Sequence, residues 1–143
     1  VINSEIFEMT KDAITPLVDL MKTLAHPVRL RVLALLREGE LCVCQVTEVL
    51  GIPMSTASEH LTELRKAGLL GERKEGRWVY YGLAPRPGLE GLLAALWPHV
   101  DALGQVEQDR EAARATRKVP VEQTCSKAKP CASRRGKEVS RVE

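Results

Sequence analysis

Cys42 and Cys44, in the run Glu40-Leu41-Cys42-Val43-Cys44, are the residues best placed to do chemistry. A thiolate is a soft donor, and two of them close together can hold a thiophilic ion. Geometry restricts how they do it. On an ideal helix, residues i and i+2 stand about 200° apart, so a small ion cannot bridge them. In extended backbone the same pair points to one side. Chelation therefore requires non-helical backbone where the third helix starts. If another state extends that helix through Cys42, binding must unwind it, and a ligand with different affinity for two states is what a switch needs. One cysteine alone reads as a small buried hydrophobe, whereas a spaced pair beside a helix start reads as a ligand set.

Two more cysteines, Cys125 and Cys131, lie in a basic C-terminal stretch. They are candidates for a third sulfur from either protomer, and their spacing also suits a reversible disulfide. No apolar run approaches the roughly 20 residues of a membrane span. The first ten residues lack the pattern of a secretory signal. The expectation is a cytosolic protein with no membrane partner, whose thiols stay reduced and serve as ligands or redox groups.

The elements that must position these thiols are mostly helical. Ile14, Leu17, Val18, Met21 and Leu24 recur at helical spacing, with Thr10 as a cap and Pro16 as a start or bend. Pro27 opens a second helix, apolar almost all round and ended by Gly39. Cys44–Leu50 reads as a third helix stopped by Gly51. A fourth runs from Met54 or Ser55 to Ala67, with Gly68 after it. Two short helices around a tight turn make a helix-turn-helix. Leu69–Arg73 and Arg77–Leu83, around Lys74-Glu75-Gly76, read as a β-hairpin that would form a wing. A long helix follows with Leu89, Leu92, Leu93, Leu96, Val100, Leu103 and Val106 as its stripe, and Pro98 should bend or divide it. The predicted fold is mainly α with a small β-hairpin, a winged helix-turn-helix in the order α-α-α-α-β-β-α. The expected division puts a DNA-binding and dimerisation domain at residues 1–106. Residues 107–143 are expected to form a polar basic tail, partly disordered.

Composition is consistent with this. Only five of the 143 residues are aromatic, so the core rests on Leu, Val and Ala. The net charge of +2 is too small to argue for nucleic acid by itself. Residues 9–84 carry ten basic and nine acidic side chains. DNA contacts there must come from a few placed groups, not a broad basic face.

Four stretches together resemble the arsenical-resistance repressor (ArsR/SmtB) family. They are Leu24-Ala25-His26-Pro27-Val28-Arg29-Leu30-Arg31-Val32-Leu33, the Glu40–Cys44 run, Ser58-Glu59-His60-Leu61 through Lys66-Ala67-Gly68-Leu69, and Arg73-Lys74-Glu75-Gly76-Arg77-Trp78-Val79-Tyr80-Tyr81. The resemblance covers roughly residues 13–105. It implies a homodimer joined through its terminal helices, with two recognition helices in successive major grooves of double-stranded operator DNA. It also implies that trivalent arsenic or antimony, bound through Cys42 and Cys44, releases the operator. Arsenic-type members often carry a further cysteine three residues on, where this chain has Thr47.

On that resemblance Ser55, Thr56, Ser58, Glu59 and His60 are candidates for DNA contact from the recognition helix, with His60 equally suited to packing. Arg73, Lys74 and Arg77 are phosphate candidates on the wing. Leu17, Leu20, Leu92, Leu96 and Leu103 are candidates for the dimer interface. Other inducers stay open: cadmium, lead or bismuth, or a thiol-redox or persulfide signal. Nothing resembles a catalytic triad, a phosphate loop or paired catalytic carboxylates, so no enzyme is expected and no permanent cofactor.

Overall fold

Glycine and proline punctuation divides the chain into the segments seen in the computed structural model, which describes residues 4–127, with side chains described for 14–126. The helices are α1 (Ser4–Leu24), α2 (Pro27–Leu36), α3 (Val43–Leu50), α4 (Met54–Lys66), α5 (Glu90–Asp101), α6 (Gly104–Arg117) and α7 (Val121–Lys127). The strands are β1 (Leu41–Cys42), β2 (Leu70–Glu75) and β3 (Trp78–Leu83).

The helix-turn-helix is α3, a short turn, then α4. Gly51 closes α3 at φ 64°, a left-handed conformation that favours glycine, and Pro53 leads into α4. α4 buries Ala57, His60, Leu61 and Leu64 on one stripe. Val32, Leu33, Leu35 and Leu36 of α2 lie beneath it, in a core completed by Leu41, Val46, Leu69 and Leu70. α2 begins at Pro27, with His26 as cap accepting from the Val28 N–H through Nδ1 at 3.1 Å.

The hairpin is tighter than the sequence reading. Glu75 pairs with Trp78, leaving Gly76 and Arg77 as a two-residue turn. Gly76 has φ 58°, the conformation that two-residue hairpins require at their first central position. A third strand also appears. β1 pairs antiparallel with β3, giving the order β1-β3-β2 with Leu41 opposite Tyr81 and Cys42 opposite Tyr80. Two residues are too few to show alternation, so this strand has no signal in the sequence.

Three further expectations need correction. α1 starts at Ser4, so Thr10 lies inside the helix rather than capping it, and Pro16 is accommodated in its interior. The long C-terminal helix does not divide at Pro98, which stays inside α5. It breaks at Leu103, whose backbone is extended at φ −86° and ψ 120°. The reason is side-chain pairing on the far side of the break. The turn lays α6 across α2 and α3, where Asp109 accepts two hydrogen bonds from Arg31 at 2.7 and 2.8 Å. Arg114 pairs with Glu38 at 2.7 Å, and Arg117 donates to the Gly39 carbonyl at 2.9 Å. The polar tail expected from residue 107 is therefore helical through most of 107–127, held by ion pairs that an apolar pattern does not reveal. Residues 128–143 lie outside the described ones.

Among the described residues, no helix is long and apolar enough to cross a membrane.

Candidate functional site

Three cysteines meet at one end of α3. Cys42 ends β1, Cys44 lies in the first turn of α3, and Cys125 is delivered by α7. They are at most 2% exposed, and their sulfurs all lie within 4.8 Å of one another. Cys44 and Cys125 are joined as a disulfide, and the Cys42 sulfur lies 3.9 Å from that of Cys125. Cys42 has the extended backbone that the spacing argument requires, at φ −84° and ψ 167°. It is kept out of the helix by the β1–β3 ladder and by Gln45, whose Oε1 accepts from the Cys42 N–H at 2.9 Å.

Met54, Trp78, Tyr80 and Val121 pack around the sulfurs. Burial pushes the Tyr80 hydroxyl above its ordinary range, with Cys42 and Glu75 adding to the effect. With the Cys44–Cys125 bond reduced, three thiolates behind an apolar wall would suit a soft ion that has shed its water. Of the two candidates for a third sulfur, Cys125 lies beside Cys42 and Cys44, at the start of α3, in which this chain has Thr47 in place of a further cysteine. The disulfide links it to Cys44 across 81 residues, not to Cys131, which lies outside the described residues. Sequence spacing cannot reveal such a pairing, because it depends on how α6 docks.

A second feature faces the other way. α4 and the wing enclose a groove of ≈ 900 Å³, lined by Ser55, Ser58 and Glu59 from the helix and by Lys74 and Arg77 from the wing. Thr62 and Arg65 line it too and were missed. They follow Ser58 at i+4 and i+7, so helical periodicity could have found them. Thr56 is half-buried and does not line this groove.

His60 does not belong to the groove. It is 8% exposed, its ring lies 4.4 Å from that of His26, and its Nδ1 accepts from Arg29 Nε–H at 3.2 Å. Burial, with His26 and Arg29 close by, pushes its pKa below the ordinary value. Its place on the α4 stripe decides for packing over DNA contact. Arg73 also departs from the expected set. Its guanidinium is held by Glu40 at 2.8 Å and Glu75 at 2.7 Å, on the thiol-site face of the sheet.

The interface candidates divide as well. Leu17 and Leu103 are more than half exposed, together with Ile14, and Val18 and Met21 are exposed beside them. Leu20 is 3% exposed within its own core, so it has no surface to offer a partner. Leu92 and Leu96 are half-buried against that core.

These features make the chain a winged helix-turn-helix protein with a cysteine cluster where α3 begins. Residues 26–71 match the family described as bacterial regulatory protein, arsR family. The chain is 36% identical over 81 residues to the transcriptional repressor PagR of Bacillus anthracis, covering 56% of this chain and 80% of that one. It is 45% identical over 76 residues to the arsenic resistance transcriptional regulator ArsR1 of Pseudomonas putida, covering 52% of this chain and 59% of that protein. The solved homodimeric winged helix-turn-helix DNA-binding domain of a possible ArsR-family transcriptional regulator from Mycobacterium bovis superposes with a TM-score of 0.56 at 33% identity, over 64% of this chain and 84% of that one. The chain belongs to the arsR family of bacterial regulatory proteins. It spans about three-fifths of the length of the arsenic-resistance relative it matches.

Proposed function

We propose that this chain is a homodimeric transcriptional repressor, working in the cytosol, that binds double-stranded operator DNA through α4 and the wing. It releases the operator when trivalent arsenic or antimony binds Cys42, Cys44 and Cys125. The observation that carries this reading is the meeting of three buried sulfurs within 4.8 Å of one another. The likeness to an arsenic resistance regulator supports it.

The chemistry needs no oxidant once the thiols are free. Arsenous acid exchanges its three hydroxyls for three thiols, so three As–O bonds break, three As–S bonds form and three waters leave. The Cys44–Cys125 bond must first take up two electrons and two protons, which a cytosolic thiol pool supplies. α6 and α7 then act as the part of the sensor that brings the third sulfur.

The test is an operator-binding isotherm on phosphine-reduced protein with arsenite, antimonite, cadmium, lead, bismuth and zinc, beside mass spectrometry of the metalloid complex. One arsenic per protomer and loss of operator support the reading. The disulfide favours a second reading, a thiol-redox or persulfide repressor. That reading predicts release by mild oxidation and none by arsenite on the reduced protein.

A further inference from the structure

We propose that Trp78 and Tyr80 are positioning residues that couple the thiol site to the DNA-binding wing. The inference rests on the reading of that site given above. These two aromatic rings touch both ends of the connection. On one side they pack against the sulfur cluster. On the other they carry guanidiniums: Arg77 lies 4.8 Å above the Trp78 ring and Arg73 lies 5.0 Å above the Tyr80 ring.

The strand register makes this one mechanical unit. Cys42 stands opposite Tyr80 across β1–β3, and Tyr80 stands opposite Arg73 across β3–β2. Glu75 stands opposite Trp78. Side chains alternate between the two faces of a sheet, so Cys42, Arg73, Glu75, Trp78 and Tyr80 share one face. Lys74, Val79 and Tyr81 share the other and line the groove beside α4. Glu40, two residues before Cys42, grips Arg73 and ties the same strand to the wing a second time.

Drawing three sulfurs onto one ion shifts Cys42 within a ladder it shares with β3. The rings that wall the site move with it, and the cation–π seats of Arg73 and Arg77 move with the rings. Arg77 also lines the DNA-side groove, so it is the point where the displacement reaches the nucleic acid. Linkage requires that occupancy at the thiols and occupancy of DNA change each other's affinity by one common factor. Trp78 and Tyr80 set the size of that factor without being ligands themselves.

The experiment measures this factor as the ratio of operator Kd with and without arsenite on reduced protein. A ratio cancels any change in basal operator affinity. Trp78→Leu with Tyr80→Leu keeps the wall apolar and removes both cation–π seats. The ratio should then drop at least tenfold, about 1.4 kcal/mol of coupling, while mass spectrometry still finds one arsenic per protomer. Trp78→Phe with Tyr80→Phe keeps rings of similar shape and should restore the ratio. In a Trp97→Phe background, Trp78 emission should change saturably as arsenite binds, without DNA present. This second readout also covers the case in which the leucine variant does not fold. An unchanged ratio in a folded leucine variant, or a silent Trp78, overturns the inference while leaving the thiol site intact. Failure of wild-type protein to bind arsenic overturns the reading beneath it as well.

Discussion

Cys42 and Tyr80 face each other across the β1–β3 ladder, so the sulfur cluster and the wing share a pair of strands. A ligand at the cluster would sit beside a sheet that also carries the basic side chains of the hairpin. The thiol variants test the ligand set directly. Cys42→Ser, Cys44→Ser and Cys125→Ser should each bind operator and each fail to release it, because a serine hydroxyl is a hard donor that does not replace thiolate toward a soft ion. Cys131→Ser should respond as wild type. Operator isotherms with and without arsenite decide this. A normal response in Cys125→Ser would reduce the site to two sulfurs.

The Arg31–Asp109 pair is one of the contacts that dock α6. Asp109→Asn leaves the guanidinium without its carboxylate. We expect a loss of about 2 kcal/mol, below the roughly 3–5 kcal/mol of a fully buried pair, because the Arg31 side chain is 27% exposed and partly screened. Urea unfolding should show a lower midpoint with an unchanged slope. Arsenite affinity should fall too, since α6 leads to the helix that carries Cys125.

The wing residues should separate in a salt titration of operator binding. Lys74→Ala and Arg77→Ala should each flatten the slope of log K against log salt by about one unit. Arg73→Ala should flatten it less, because its guanidinium is already engaged by Glu40 and Glu75 on the opposite face. Equal slopes for all three variants would put Arg73 back among the phosphate contacts.

Stability should fall on acidification in a window set by His60. Its folded pKa lies below the ordinary 6.5, so the unfolded chain protonates first as pH falls. The neutral ring's contribution is therefore complete above about pH 6.5 and is lost as pH drops toward the folded value. Glu38 and Asp101, lowered by hydrogen bonds from Arg114 and Arg110, act with the same sign further down. Their contribution is present above the ordinary 4.5 and 3.8 and is lost as pH falls through their folded values. His60→Asn should flatten the upper window in urea midpoints measured across it and leave the lower one unchanged.

The dimer should be sensitive to charge on the exposed apolar face of α1. Leu17 is 52% exposed, so Leu17→Glu should give a folded monomer by light scattering, with operator affinity lost because two half-sites are no longer read together. Leu96→Glu, half-buried against the core, should instead lower thermal stability. A Leu17→Glu dimer with normal operator binding would place the interface elsewhere.

Local pattern was enough for the helix-turn-helix, the hairpin and the requirement that Cys42 leave the helix. Each of these follows from periodicity, from a glycine or proline stop, or from the 100° step of a helix, all of which act between neighbours in the chain. Only the tertiary structure decided which further cysteine meets Cys42 and Cys44, the burial of His60 and the two faces of the wing. Cys125 reaches Cys44 because pairings such as Arg31 with Asp109, 78 residues apart, and Arg114 with Glu38 seat α6 on the domain. His60 turned inward because His26 and Arg29, supplied by another helix, satisfy it there. Arg73 parted from Lys74 because β1, too short to show a pattern of its own, brought Cys42 and Glu40 to one side of the sheet. Contacts between distant segments depend on how the elements dock, and docking is set by the sum of many weak pairings that no single stretch of residues displays.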